Sequence, residues 1–183
     1  MKYEGIIEGQ YCNLVSVDED DAEFTLALRK DERLTAYLPK LNISVEQQKE
    51  WIKKQQADAT DFFFVVWDKE GNRIGVLGLY NVVDGKGETG RLAMKGNPLQ
   101  AIEAQMLCVD FAFNILKLTN IYSYILADNE GAIKFAKLFG PELSEVRVNE
   151  KGERVIDAVN NKERYSIARK KLERMLYRGK TKS

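Results

Sequence analysis

The fold of this chain is decided by residues 110–140, which are DFAFNILKLTNIYSYILADNEGAIKFAKLFG. Their apolar spacing predicts the end of an amphipathic helix, a buried strand over residues 120–127 and a short helix over residues 129–139. A polar corner, Asp128-Asn129, joins the strand to the second helix. Because the first N–H groups of a helix have no partner inside it, such a corner offers hydrogen-bond donors to a ligand.

The middle of the chain changes to strand patterns. Residues 62–67 are an unbroken apolar run, and residues 74–83 give a second strand pattern across a turn at residues 68–72. The two runs predict a hairpin whose strands are largely buried. A glycine-rich turn then leads to a third strand over residues 88–95. Residues 96–98, Gly-Asn-Pro, end that strand and open a long helix, with proline near the first helical position.

The rest of the chain gives weaker patterns. Residues 3–17 are typical of one strand, and two helices follow it. The second of these helices begins at a capping box formed by Ser44 and Gln47. Residues 143–148 and 154–159 predict two further strands around a turn.

The charges of the whole chain sum to zero, but they are unevenly distributed along the sequence. There are 28 Lys and Arg and 28 Asp and Glu, so the formal net charge is zero and gives no bias toward nucleic acid or a membrane surface. Residues 162–183 nevertheless hold nine Lys and Arg against two Glu, a local charge of +7. Alternation predicts a last strand over residues 164–168, and a basic helix from about residue 169. Such a helix is more often a solvated face than an anion-binding patch, so nucleic acid is not the expected partner.

Length and composition predict one domain over residues 1–183, without repeats or linkers. The longest apolar run, residues 62–67, is too short to cross a bilayer, and residues 1–10 lack the apolar run of a signal peptide. We therefore expect a cytoplasmic protein with no membrane partner.

The chain has no histidine and two cysteines, Cys12 and Cys108. The first fact excludes Ser-His-Asp and Cys-His catalysis and histidine-ligated metals. Two cysteines make neither a disulfide framework nor a zinc site, so we expect no metal. Any chemistry must use carboxylates, tyrosines, lysines, backbone amides or a bound cofactor.

Residues 85–90, GKGETG, match the dinucleotide-binding pattern G-x-G-x-x-G. That motif needs a strand before it and a helix after it, so that the helix meets the pyrophosphate. Here it lies between two strands, which favours a hairpin turn. A better anion site is the helix start at residues 97–101, preceded by Lys95, although an ordinary capped helix explains it as well.

Four side chains could reach a central cleft: Glu88, Tyr80, Tyr122 and Tyr124. Alternation puts Tyr122 and Tyr124 on one face of their strand and Ser123 on the other. For the tyrosines a lining role without chemistry is the simpler interpretation, and for Glu88 a solvated charge at the end of a strand.

Three stretches together resemble the GNAT (Gcn5-related) N-acetyltransferases, nearest the branch with ribosomal-protein alanine and spermidine acetyltransferases. They are residues 28–52, LRKDERLTAYLPKLNISVEQQKEWI; residues 62–80, FFFVVWDKEGNRIGVLGLY; and residues 110–140, quoted above. The resemblance spans almost the whole chain, and the last stretch is the most specific.

The resemblance implies an α/β (α+β) fold, with a mixed, mostly antiparallel sheet and helices on both faces. Its fourth and fifth strands separate, and acetyl-CoA lies in the V between them. Carried over to this sequence, the cofactor-binding residues would be Leu92, Met94 and Lys95 on the fourth strand, Gln100 and Ala101 in the loop after it, and Asn129. The acceptor amine would attack the thioester carbonyl directly.

The chain departs from the family at two places. The family loop Arg/Gln-x-x-Gly-x-Gly/Ala falls on Gly96, Leu99 and Ala101, so that only the last small residue is kept and the loop is about two residues shorter. The tyrosine that often protonates the leaving thiolate falls at Ala136.

Our hypothesis from sequence is an acetyl-CoA-dependent N-acetyltransferase acting on a primary amine, with Glu88 and Tyr124 as candidate catalytic residues. The acceptor is open among an amino sugar, a polyamine and a protein N-terminus, and a homodimer is left open. One alternative is a catalytically impaired binding or regulatory module with a remodelled pyrophosphate loop. Another has the basic C-terminal segment binding an anionic partner.

Overall fold

A computed structural model describes residues 1–37 and 41–178, so that predictions on residues 38–40 and 179–183 lie outside the described residues. In chain order the elements are β1 (Ile7–Glu8), β2 (Cys12–Ser16), α1 (Ala22–Lys30), α2 (Glu32–Thr35), α3 (Val45–Ala57), β3 (Phe62–Asp68), β4 (Arg73–Val83), β5 (Lys86–Met94), α4 (Pro98–Asp110), β6 (Asn120–Leu126), α5 (Glu130–Lys137), β7 (Glu142–Leu143), β8 (Arg147–Val148), β9 (Arg154–Asn161) and α6 (Lys162–Tyr177).

All the described strands belong to one sheet, in the order β1-β2-β3-β4-β5-β6-β9-β7, with β8 also paired to β9. Every pairing is antiparallel except that of β5 with β6, which is parallel. The predicted mixed, mostly antiparallel sheet is therefore confirmed.

Helices cover both faces of this sheet. On one face, α1 and α3 pack over a core that includes Phe63, Val65 and Val76; we call it the α1–α3 face. On the other, α4 and α6 pack over a core that includes Leu77 and Phe111; we call it the α4–α6 face. Within the described residues, no helix is both long enough and apolar enough to cross a membrane.

The central elements are where the sequence predicts them. The hairpin of β3 and β4 forms as expected, and α3 and α4 begin at side-chain capping boxes. In the first box, the Ser44 hydroxyl accepts from the Gln47 N–H at 3.2 Å. The motif at residues 85–90 is part of a hairpin turn, since Asp84 and Gly85 have φ of 49° and 74° between β4 and β5.

The predicted single strand over residues 3–17 is wrong, because the chain turns back after Glu8 and forms the hairpin of β1 and β2. The strand predicted over residues 143–148 is instead two short strands, β7 and β8, which both pair with β9.

The strand predicted over residues 164–168 is also wrong, and the basic helix begins at Lys162 rather than at about 169. Asn161 caps this helix by accepting from the N–H of its third residue at 2.9 Å. The alternation of Tyr165 and Ile167 resembles a strand, but the buried residues of α6 follow helical spacing: Tyr165, Ala168, Leu172 and Leu176.

Part of the basic charge of α6 is paired with carboxylates of the same chain. Arg164 forms an ion pair with Glu142 at 2.6 Å, and Arg169 lies 2.8 Å from Asp110 and also contacts Glu173. These two arginines are therefore paired within the chain, Arg164 at the surface and Arg169 in a partly buried position.

A buried carboxylate holds the first hairpin onto α4. Glu103 is fully buried, and its oxygens accept from the backbone N–H groups of Gln10, Tyr11 and Cys12 at 2.8, 2.6 and 2.9 Å. The Tyr177 hydroxyl of α6 donates to it at 2.7 Å. One side chain thus joins the N-terminal hairpin, α4 and α6.

We predict that Glu103→Gln lowers the free energy of unfolding by about 1–3 kcal/mol, because one carboxylate oxygen becomes an NH₂ group that faces buried N–H donors. Urea unfolding followed by circular dichroism measures the change. Tyr177→Phe removes only one of the four donors and should cost less. An equal or larger loss in Tyr177→Phe would contradict this account of Glu103.

Candidate functional site

Strands β5 and β6 separate along their length. They pair at Lys86 with Asn120, at Gly87 with Ile121, and at Glu88 with Tyr122. Beyond this last pair the structure gives no further β5–β6 partners in its described part, although β5 continues against β4 as far as Met94. From residue 89 onward, one edge of β5 therefore lacks a strand partner.

A β-bulge accompanies the separation. In the β4–β5 register Val76 pairs with Ala93 and Gly78 with Gly90, so that two residues of β5 lie opposite one residue of β4. One of the two, Arg91, has φ of 56°. Because a bulge bends its strand and increases the twist, it turns β5 away from β6.

The Arg91 side chain is held on the α1–α3 face. Its guanidinium lies 2.8 Å from the Asp61 carboxylate and 4.3 Å from the centroid of the Tyr80 ring. These contacts restrain the bulge, since Asp61 lies in the loop just before β3 and Tyr80 lies on β4.

A cleft of about 500 Å³ lies between the separated strands. Arg33 and Tyr37, in and after α2, line it from the α1–α3 face, whereas Gln105 of α4 and Ala136 of α5 line it from the α4–α6 face. The cleft is thus lined from both sides of the sheet.

Three of the residues predicted from sequence line the cleft: Leu92, Tyr124 and Asn129. Met94 instead packs against the core of the α4–α6 face. The N–H of Lys95 donates to the carbonyl of Ile74 on β4 at 2.7 Å. Glu88 lies at the last β5–β6 pair, at the edge of the cleft.

Gln100 and Ala101 lie outside the cleft lining, at a helix start that bonds its own amides. The N–H groups of Asn97, Gln100 and Ala101 donate to Gln100 Oε1, Asn97 Oδ1 and Asn97 O at 2.9, 3.0 and 3.1 Å. Pro98 has no N–H.

The two candidate catalytic side chains lie on neighbouring strands. Glu88 accepts from Asn81 Nδ2 at 2.9 Å. Tyr124 is 52% exposed, and partial desolvation together with the negative charges of Glu88 and Asp157 raises the pKa of its phenol. Tyr124 therefore stays protonated at neutral pH and can donate a proton rather than accept one.

The sequence did not identify two polar features of the cleft. The hydroxyls of Thr89 and Ser123 are 2.8 Å apart, immediately beyond the last β5–β6 pair. Asn160 of β9 also lines the cleft, next to Ile121 in the register of β6 and β9. These residues come from three strands far apart in sequence, so only the sheet order could have revealed them.

Asn129 has a structural role in addition to its place in the cleft. Its side-chain oxygen accepts from the N–H of Ala132 at 3.0 Å and caps α5. The capping oxygen is thus used, and the NH₂ group is the part that could reach a ligand.

The comparisons agree with this geometry. Residues 12–141 match the family model described as Acetyltransferase (GNAT) domain. A solved structure titled "Apo FdhC- a nucleotide-linked sugar GNAT" superposes with a TM-score of 0.80 at 20% identity, covering 96% of this chain and 99% of that one. A GCN5-related N-acetyltransferase from Brucella melitensis gives 0.80 at 17% identity, covering 95% and 86%.

A spermidine N-acetyltransferase from Vibrio cholerae in complex with CoA and spermine gives a TM-score of 0.77 at 20% identity, covering 86% of this chain and 99% of that one. At such identities these structures support the fold alone. The family model covers most of the chain, so the chain belongs to the GNAT acetyltransferase family and is an N-acetyltransferase.

Members of this family use acetyl-CoA. The separated strands fit its pantetheine arm, because they leave an unpaired main-chain edge beside a cleft lined by Leu92. The start of α4 does not fit its pyrophosphate, because three of its amides are bonded within the capping box and the first turn. The described residues contain no group of three or more side chains placed to bind a metal.

We predict that Asn129→Ala lowers the free energy of unfolding by about 1 kcal/mol, since α5 loses its cap. Asn129→Ser keeps a capping oxygen and should retain most of the stability. Urea unfolding of both variants checks this. Equal losses in the two variants would show that the cap is not what Asn129 contributes.

Proposed function

We propose that the chain transfers the acetyl group of acetyl-CoA to a primary amine. The observation that carries the proposal is the separation of β5 and β6 after three residue pairs, with a cleft lined from both faces of the sheet. A donor lying against α4 and α5 and an acceptor entering beside α2 could then meet between the strands.

Bound acetyl-CoA would supply an acetyl thioester whose carbonyl carbon the amine attacks. In the chain itself, Glu88 would accept the proton that an alkyl ammonium must lose before it attacks. Main-chain N–H groups on the open edge of β5 would donate to the carbonyl oxygen. Tyr124, kept protonated by its raised pKa, would donate a proton to the departing sulfur.

The acceptor class stays open among an amino sugar, a polyamine and a protein N-terminus. Structural neighbours include a nucleotide-linked sugar GNAT and a spermidine N-acetyltransferase, which supports an amino sugar or a polyamine as the acceptor.

The proposal includes a cytoplasmic location, supported by two unpaired cysteines, Cys12 and Cys108.

A second candidate is a binding or regulatory module that keeps the fold without turnover. The start of α4 favours this alternative, because amides that are already bonded there cannot donate to the pyrophosphate of the cofactor. Titration calorimetry with CoA, together with an assay for free thiol, separates the two. Binding without release of thiol from acetyl-CoA, for any amine offered, would favour the module.

The proposal is tested by incubating the chain with acetyl-CoA and panels of amino sugars, polyamines and N-terminal peptides, and measuring free CoA thiol. We expect release that depends on one class of amine. Cys12 and Cys108 are buried, so the protein's own thiols should add little signal. Failure with all three classes would contradict the proposal.

We predict that Glu88→Gln lowers kcat/KM at pH 7 by about 100-fold, the lower end for loss of a general base. The defect should shrink as the pH approaches the pKa of the amine, since a neutral amine needs no base. The matched control is Glu70→Gln, in the turn between β3 and β4, and it should behave as the wild type. A pH–rate profile that Glu88→Gln leaves unchanged would exclude Glu88 as the base.

A further inference from the structure

The charges around the cleft restrict what the acceptor can be. Within the described part of the chain, the cleft lining contains one charged side chain, that of Arg33, and no Asp or Glu. A polyamine carries several ammonium groups at neutral pH, and each needs a carboxylate partner when it is removed from water. The cleft lining therefore does not suit a polycation.

One carboxylate lies at the edge of the cleft, on the side where the acceptor would enter. Glu88 is opposite Tyr80 in the β4–β5 register, and residues directly opposite each other share a face of the sheet. The Tyr80 ring contacts Arg91 on the α1–α3 face, so Glu88 lies on that face as well. Its carboxylate accepts from a neutral amide, that of Asn81. Glu88 can therefore pair with one ammonium group, that of the reacting amine.

Two other carboxylates on this side are already paired with arginines. Asp31 accepts from Arg33 Nε at 3.2 Å and from Arg33 Nη2 at 3.0 Å. The Asp61 carboxylate lies 2.8 Å from the guanidinium of Arg91. Neither carboxylate can bind a second ammonium of the acceptor without giving up its arginine.

The pair of Arg33 and Asp31 has a second cation beside it. Hydrogen bonds from Arg33 and its charge lower the pKa of Asp31, and the charge of Lys95 acts in the same direction. Two cations thus surround one carboxylate, which leaves a local charge of +1. A guanidinium carries five N–H donors, and two of those of Arg33 are used by the Asp31 carboxylate. The Arg33 side chain is 88% exposed, so a ligand can reach the other donors.

A bridge crosses the same opening. The Tyr37 hydroxyl donates to the carbonyl of Asp128, at the corner between β6 and α5, at 3.2 Å. Tyr37 and Arg33 both line the cleft, so the bridge and the guanidinium border one entrance. A small molecule can enter beside this bridge, whereas a folded protein would have to break it to bring its N-terminus between the strands.

We propose that the acceptor is a small amine that carries phosphate, such as a phosphorylated or nucleotide-linked amino sugar, with its ammonium at Glu88 and its phosphate at Arg33. The inference rests on the proposed function, because an acceptor presupposes acyl transfer. It narrows the three open acceptor classes to amino sugars in anionic form. Phosphate suits the guanidinium, which can donate two parallel hydrogen bonds to it.

The first test compares acceptors that differ in charge. The chain is incubated with acetyl-CoA and glucosamine, glucosamine 6-phosphate, UDP-glucosamine, spermine or an N-terminal peptide, and free thiol is measured. We expect a phosphorylated amino sugar to exceed glucosamine about fivefold or more in kcat/KM, and added salt to reduce this preference. A ranking headed by spermine, by the peptide or by unphosphorylated glucosamine would overturn the proposal.

The second test removes the proposed anion contact. Arg33→Gln should raise KM for the phosphorylated acceptor about fivefold, the upper end for an exposed ion pair, and leave kcat nearly unchanged. KM for glucosamine should not change. The matched control is Arg174→Gln, which removes the same charge from α6 on the other face of the sheet and should behave as the wild type.

Asp31→Asn distinguishes an anion contact from a structural role of Arg33. The asparagine oxygen can still accept from the N–H of Arg33, as the Asp31 carboxylate does at 3.1 Å, and so keep the start of α2. The guanidinium then loses its negative partner, and KM for the phosphorylated acceptor should fall. If Arg33 acted only by holding Asp31, both variants would raise KM for every acceptor, and that result would overturn the proposal.

A binding measurement separates this inference from the proposed function. Calorimetry of the full chain with glucosamine 6-phosphate, UDP-glucosamine and spermine is done in excess CoA, so that the ligands do not compete for the donor site. Binding of a phosphorylated amine that Arg33→Gln weakens, without turnover of any amine, supports the inference and contradicts catalysis. Turnover of spermine alone overturns the inference and keeps the proposed function. Neither binding nor turnover of a phosphorylated amine, with no other amine acetylated, contradicts both.

Discussion

Strand β5 does not pair with both of its neighbouring strands along its whole length. It stays with β4 as far as Met94 and leaves β6 after Glu88, and the extra residue of the bulge accompanies this choice. Backbone N–H and C=O groups must find partners when they are buried. An unpaired edge beside a cleft therefore offers N–H and C=O groups to an extended polar ligand, and the other polar groups of the cleft lie around it.

The contacts that support the bulge lie away from the cleft. Arg91 has a positive φ, and its guanidinium is held by the carboxylate of Asp61 and by aromatic rings that include Tyr80 and Trp51. A cation over aromatic rings and an ion pair together restrain a long side chain that would otherwise be mobile. The geometry of the cleft thus depends on packing on the α1–α3 face, which carries no part of the proposed donor site.

Sequence patterns predicted the helices and strands that neighbouring residues alone determine. The apolar runs of β3 and β4 and the capping boxes at Ser44 and Asn97 identify their elements within a few residues. The hairpin of β1 and β2 could not be predicted in this way, because its turn is held by Glu103, about ninety residues later. In α6, the alternation of residues 164–168 competed with helical spacing, and packing against α4 selected the helix.

The residues of the candidate site also differ in whether local sequence could identify them. Tyr124 and Asn129 lie in a stretch that carries the family resemblance, and Leu92 was predicted by its position on the fourth strand; all three line the cleft. Thr89, Ser123 and Asn160 belong together only through the order of β5, β6 and β9. The start of α4 was predicted as an anion site on its unpaired amides, yet its own side chains accept from two of them, those of Asn97 and Gln100.

The burial of both cysteines has a practical consequence. Cys12 and Cys108 are closed in the core, and burial raises the pKa of the Cys108 thiol to about 12, so neither should take up a maleimide dye while the protein is folded. A cysteine introduced on the surface would then be the single labelled position. Pairs of spin labels or fluorophores on the outer ends of β5 and β6 could report how far those ends move when a ligand enters, without first removing any native thiol.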